Sequence, residues 1–118
     1  MKILLVEDEK EICRLYQDIL SSSGFEVVVC QDGETGCISA KKGEWDILLL
    51  DIMLPNMDGL EILNEINTLG LTKSKKVVIL TNIEKQEVLD RATELGAIKY
   101  IIKSEINPSQ LIEIVSSL

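Results

Sequence analysis

Five side chains suited to phosphoryl chemistry occupy equivalent places in this sequence. Glu7 and Asp8 follow the apolar run Ile3 to Val6, Asp51 follows Ile47 to Leu50, Thr81 follows Val77 to Leu80, and Lys103 follows Tyr100 to Ile102. Carboxylates brought to one crevice repel; at about 5 Å and an effective dielectric near 20 each pair costs roughly 3 kcal/mol, so a cation belongs among them. The chain has no His, and an oxygen-only ligand set favours a hard divalent ion, most simply Mg2+. Beside such an ion Asp51 becomes a candidate nucleophile toward phosphorus, since carboxylates form aspartyl-phosphate intermediates. The metal and Lys103 would neutralise phosphoryl oxygens and the Thr81 hydroxyl would reach a third, which matches a reaction governed by positioning and charge stabilisation.

The elements that must position these groups are legible as a repeated strand and helix. Apolar runs at Ile3 to Val6, Phe25 to Val29, Ile47 to Leu50, Val77 to Leu80 and Tyr100 to Ile102 alternate with helical patterns. The first helix carries Ile12, Leu15, Tyr16, Ile19 and Leu20 on one stripe and ends at Gly24. The second, about Glu34 to Lys42, has a poor stripe in Ile38 and Ala40, with Trp45 packing near its end. Asp58 caps a third helix bearing Leu60, Leu63 and Ile66, and a polar loop from Gly70 to Lys76 follows. The fourth runs from about Glu84 to Leu95 with Val88, Leu89, Ala92 and Leu95 inward; the fifth follows Pro108 with Leu111, Ile114, Val115 and Leu118. Strands without polar alternation, each joined to the next by a helix, predict an α/β fold: a doubly wound five-stranded parallel sheet with helices on both faces. Right-handed crossovers make 2-1-3-4-5 the expected strand order, and its switch point lies between strands 1 and 3, where Glu7, Asp8 and Asp51 meet.

Composition narrows the function. The 118 residues suit one domain, expected to span 1–118, and a net charge of −8 argues against direct binding of nucleic-acid phosphates. Cys13, Cys30 and Cys37 are irregularly spaced in a chain without a secretory signal, and no apolar stretch approaches membrane-spanning length; a soluble, reduced, cytoplasmic protein is expected. The cysteines read as small apolar fillers. Without His, Ser-His-Asp and Cys-His catalysis are excluded within the chain.

Taken singly, Asp51 is an ordinary turn residue, Glu7 and Asp8 a solvated strand end, Thr81 an N-cap and Lys103 a solvated charge. Their joint placement at adjacent strand ends carries the functional reading. With the segments Leu4 to Glu9, Leu50 to Pro55, Met57 to Gly59, Leu80 with Thr81, and Gly96, Ala97, Tyr100 and Lys103, the chain resembles a response-regulator receiver domain of bacterial two-component signalling over essentially its whole length. The resemblance implies Asp51 as phosphoacceptor, Asp8 as a direct metal ligand, Glu7 as a ligand through water and the Met53 carbonyl as another. It implies a donor phosphohistidine on a sensor histidine kinase or histidine phosphotransfer protein, which accounts for the absent His, and no enzymatic activity beyond the chain's own phosphorylation and dephosphorylation. It further implies that Thr81 and Tyr100 shift on phosphorylation, remodelling the surface of the fourth helix, fifth strand and fifth helix for a downstream protein partner.

Four positions depart from the family pattern. Ser104 stands where Pro usually follows the active-site Lys through a cis peptide, so a trans bond with a reshaped loop, or a strained bond, is expected. Asn82 replaces the usual small residue beside Thr81, which predicts slower phosphotransfer or slower phosphoryl loss. Ile98 and Lys99 stand where many transcription-factor receivers carry acidic dimer contacts, so a monomer or weak dimer is expected. The chain stops at Leu118, after the fifth helix, without an output domain, so output is expected through protein contacts of the receiver itself. The alternative is a receiver-like interaction module acting without phosphorylation. A nucleotide or flavin binder is disfavoured because Glu7, Asp8 and Glu9 replace a Gly-rich phosphate loop. A Mg2+-dependent phosphatase is disfavoured because Met53, not a second Asp, lies two residues beyond Asp51.

Overall fold

The computed structural model describes residues 1–82 and 85–118. Five parallel strands, β1 (Lys2–Val6), β2 (Glu26–Cys30), β3 (Ile47–Asp51), β4 (Lys76–Thr81) and β5 (Lys99–Ile102), form one sheet in the order β2-β1-β3-β4-β5. The helices are α1 (Lys10–Ser22), α2 (Gly33–Lys42), α3 (Gly59–Thr68), a short α4 (Leu71–Ser74), α5 (Gln86–Glu94) and α6 (Pro108–Ser116), with a 3-10 turn at Lys103–Glu105. The predicted fold class and strand order are those observed.

Alternation along each strand divides the core into two layers. Leu4, Val6, Leu48, Leu50, Val77 and Ile79 pack against α2, α3 and α5. Ile3, Leu5, Ile47, Leu49, Val78, Leu80 and Ile101 pack against α1 and α6. Covered on both faces, β3 is buried at every residue, and its unbroken apolar run reflects that. The edge strand β2, exposed at Val28, is less apolar in its surroundings.

Two sequence expectations need correction. Leu15 was expected on the inner stripe of α1 but is 46% exposed, and Cys13 takes the inward place beside Tyr16 and Leu20. A cysteine is small enough to sit under the loop after β1, where its thiol donates to the Glu7 carbonyl at 3.0 Å. The expected polar loop from Gly70 to Lys76 instead contains α4, and Lys76 opens β4. A single turn carries too little periodicity to be read from sequence, and this one is set by packing, with Leu71 against the α2–α3 layer. The fourth predicted helix corresponds to α5; its expected start at Glu84 lies outside the described residues. The fifth is α6, fixed by Pro108 in its first turn and by a capping box in which Asn107 accepts from Gln110 N–H.

The weak second helix also forms. Asp32 caps it through the Thr35 N–H, and its buried face is Gly33, Gly36, Cys37 and Ala40, too small to register as a hydrophobic stripe. Ile38 points outward, and Trp45 donates its indole N–H to the Ala40 carbonyl at 2.9 Å, so the expected packing at the helix end is present.

Candidate functional site

Strand register brings the predicted groups together. Val6 pairs with Leu50, so Glu7 leaves β1 beside Asp51; Asp51 pairs with Leu80, one residue before Thr81; Thr81 pairs with Ile102, one residue before Lys103. A parallel sheet with its strands in register ends them at one rim, where the side chains of four strands converge.

At that rim Glu7, Asp51 and Thr81 are buried while Asp8 is exposed. Carboxylate oxygens of Glu7, Asp8 and Asp51 lie within 4.8 Å of one another. The sequence called for a cation among them, and the chain supplies one itself. Lys103 Nζ lies 2.7 Å from Glu7 Oε1 and 3.1 Å from Asp51 Oδ2, with its side chain only 6% exposed. Burial alone would lower the Lys103 pKa, but the bond to Glu7 and the charge of Asp51 outweigh it and hold the ammonium above the ordinary lysine range. Burial pushes the Glu7 carboxyl up to about 7, against the opposing pull of Lys103.

The backbone sets the orientation of each carboxylate. Asp51 Oδ1 accepts from the Met53 N–H at 3.1 Å, leaving Oδ2 toward Lys103. Glu7 Oε2 accepts from the Glu9 N–H at 3.1 Å. Met53 was singled out for its carbonyl; its amide is what orients Asp51 here, and its side chain is 66% exposed. Glu9 was not predicted as a site residue, yet its carboxylate also reaches Lys103 at 3.4 Å. The signal was present as the third acid of the run after β1, but an exposed acid is indistinguishable from a solvated one in sequence.

Close backbone approach completes the frame. Asp58 accepts from the Glu61 N–H at 3.0 Å and caps α3 as expected. Gly59 then lies against the end of β3, its N–H donating to the Ile52 carbonyl at 2.8 Å, and a Cβ there would collide with the Asp51 carbonyl oxygen. Asn56 adopts φ 73°, a left-handed conformation that Asn tolerates, in the turn after Pro55. Asp8, Met53 and Pro55 line a shallow groove leading from the carboxylates toward Leu60 and Val88.

The predicted switch residues separate. Thr81 is buried, whereas Tyr100 is 46% exposed on β5 beside the exposed Ile98. No cis peptide occurs among the described residues, so the bond between Lys103 and Ser104 is trans, and the 3-10 turn reshapes the loop as one of the two expected alternatives. Asn82 Oδ1 accepts from the Ser104 N–H at 3.0 Å, which joins two of the positions that depart from the family pattern.

Residues 3–116 match the family model described as the response regulator receiver domain. The chain is similar to the transcriptional regulatory protein DltR of Streptococcus agalactiae, at 37% identity over 87% of this chain and 45% of the relative. It is likewise similar to CusR of Escherichia coli, at 34% identity over 87% of this chain and 44% of that one. Among solved structures, a receiver domain protein from Methanospirillum hungatei superposes with a TM-score of 0.87 at 30% identity, covering 98% of this chain and 90% of that one. CheY of Borrelia burgdorferi, solved in a complex with CheX, BeF3 and Mg2+, superposes with a TM-score of 0.87 at 26% identity, covering 99% and 87%. The chain belongs to the response regulator receiver domain family of two-component signalling. It spans about 45% of the length of curated relatives such as DltR.

Proposed function

We propose that residues 1–118 act as a phosphorylatable receiver in which Asp51 takes the phosphoryl group from a phosphohistidine on a sensor histidine kinase or histidine phosphotransfer protein. The observation that carries this reading is the buried Asp51 carboxylate, held by the Met53 N–H and the Lys103 ammonium within a cluster of three carboxylates. An Asp51 oxygen attacks phosphorus, a P–O bond forms as the P–N bond breaks, and the imidazole leaves to the donor. Lys103, already desolvated, can follow the negative charge from the Asp51 oxygen to a phosphoryl oxygen without leaving the crevice. Thr81 would donate its hydroxyl to another.

The donor set fits Mg2+: oxygen atoms only, two buried carboxylates and the exposed Asp8 toward solvent. Asp8 and Asp51 would hold the ion directly, with Glu7 through water and the Met53 carbonyl as a further ligand. When bound, the ion supplies positive charge that offsets the carboxylates and the incoming phosphate oxygens. The chain's covalent chemistry would then be limited to its own phosphorylation and dephosphorylation.

Output would pass through Thr81 and Tyr100 to the surface of α5, β5 and α6, by a shift between two pre-existing conformations, toward a downstream protein in the cytoplasm. No helix among the described residues is long and apolar enough to cross a membrane, and a net charge of −8 gives this segment little attraction to nucleic acid. A monomer or weak dimer fits the exposed Ile98 and Lys99, which offer no acidic dimer contacts.

Incubation with acetyl phosphate and Mg2+ should add one phosphoryl group by intact mass to the wild-type chain and none to Asp51→Asn. An unmodified wild type, or a modified Asp51→Asn, would falsify the reading. A partner contact that survives Asp51→Asn unchanged would favour an interaction module working without phosphorylation.

A further inference from the structure

Beyond the strand pairing of β4 and β5, a side-chain hydrogen bond joins their rims, from the Ser104 N–H to Asn82 Oδ1 at 3.0 Å. Asn82 directly follows Thr81, and Ser104 directly follows Lys103. The 3-10 turn at Lys103–Glu105 begins without a side-chain cap from Ile102, so its first amides have no partner within the turn. The Asn82 carboxamide supplies one from the neighbouring strand. A proline at 104 would lack this N–H, and a small side chain at 82 would lack the acceptor. The two residues are therefore complementary, and neither makes the bond alone.

We infer that Asn82 is a positioning residue for Lys103: by capping the turn that opens at Lys103, it holds the ammonium across Glu7 and Asp51. The turn is short, and its exposed residues Ser104 and Glu105 contribute little burial to fix it. The ammonium, by contrast, must stay within hydrogen-bond reach of both buried carboxylates. A lysine side chain has enough rotamers to lose that geometry if its backbone is released. The bond also makes the Thr81 end and the Lys103 end of the site move as one unit, which a rim built from separate loops would not do. Asn82 would thereby act on the site through Ser104 as well as by standing beside Thr81.

This inference rests on the proposed role of Lys103 in phosphoryl transfer, and its test separates the two. In the full chain, the Ser104 amide should exchange slowly with solvent, and the Lys103 ammonium should give a resolved, exchange-protected NMR signal. Asn82→Ala should lose both, while Asn82→Asp, which keeps the accepting oxygen, should keep the Ser104 protection. Phosphorylation by acetyl phosphate at saturating Mg2+ should slow about three- to tenfold in Asn82→Ala and in Ser104→Pro, the range expected for one hydrogen bond. The double variant should be no slower than either single, because each removes the same bond. Multiplying effects, or an unchanged Lys103 signal in Asn82→Ala, would overturn the inference. A wild type that takes no phosphoryl group would remove the proposed function, while the Ser104 and Lys103 signals would still decide whether Asn82 positions the lysine.

Discussion

Lys103 bridges two buried carboxylates, with Nζ at 2.7 Å from Glu7 and 3.1 Å from Asp51. Removing it leaves both without their buried partner, so Lys103→Met should destabilise the chain by about 3 kcal/mol, read from the urea midpoint. The same variant should phosphorylate about a hundredfold more slowly, the scale for losing one preorganised charge-stabilising donor. Glu65 accepts from the Cys37 thiol at 2.7 Å, and burial first, then that bond, pushes the thiol up to about 11. The folded chain therefore keeps a proton that the unfolded chain, at its ordinary value of 9.0, has lost. Stability from this group is complete below about pH 9 and declines as pH rises through about 11. The alkaline loss in urea midpoint should be smaller in Cys37→Ala. Native Cys37 should also resist a thiol reagent at pH 8 that labels the unfolded chain.

At the scale of elements, the site depends on how closely α3 approaches the end of β3. A Cβ at Gly59 would meet the carbonyl of the phosphoacceptor residue itself. Gly59→Ala should cost roughly 1–3 kcal/mol in the urea midpoint and slow phosphorylation as well, because backbone, not a flexible side chain, must move. The cap of α6 offers a contrast. Asn107→Ala removes the acceptor for Gln110 N–H and should cost about 1 kcal/mol while leaving Asp51 phosphorylation unchanged. The sequence announced α3 and α6 through Asp58 and through Pro108 with its apolar stripe. It announced α2 poorly, since a face of Gly33, Gly36, Cys37 and Ala40 fits under the strands without a hydrophobic signal. It missed α4 because one turn leaves no period to detect, and misplaced Leu15 because helical spacing cannot decide between Leu15 and Cys13 at the edge of a stripe.

Over the whole molecule, mutual repulsion of the rim carboxylates couples ion binding to folding. Mg2+ should raise the urea midpoint beyond the effect of KCl at equal ionic strength, by about 2.7 kcal/mol at a hundredfold excess over Kd. Asp8→Ala should remove most of that gain, because Asp8 is the carboxylate left outside the buried Lys103 pairs. The sequence by itself determined the layered fold, since β3 must be buried on both faces, and the strand ends at which Glu7, Asp8, Asp51, Thr81 and Lys103 stand. Short-range pattern and chain connectivity suffice for that much. Only the tertiary structure decided that Lys103 bridges Glu7 and Asp51, that Glu9 turns toward it, and that Asn82 and Ser104 are joined. Those relations join residues 22 to 96 positions apart along the chain, and register, not sequence spacing, brings their atoms within hydrogen-bond reach.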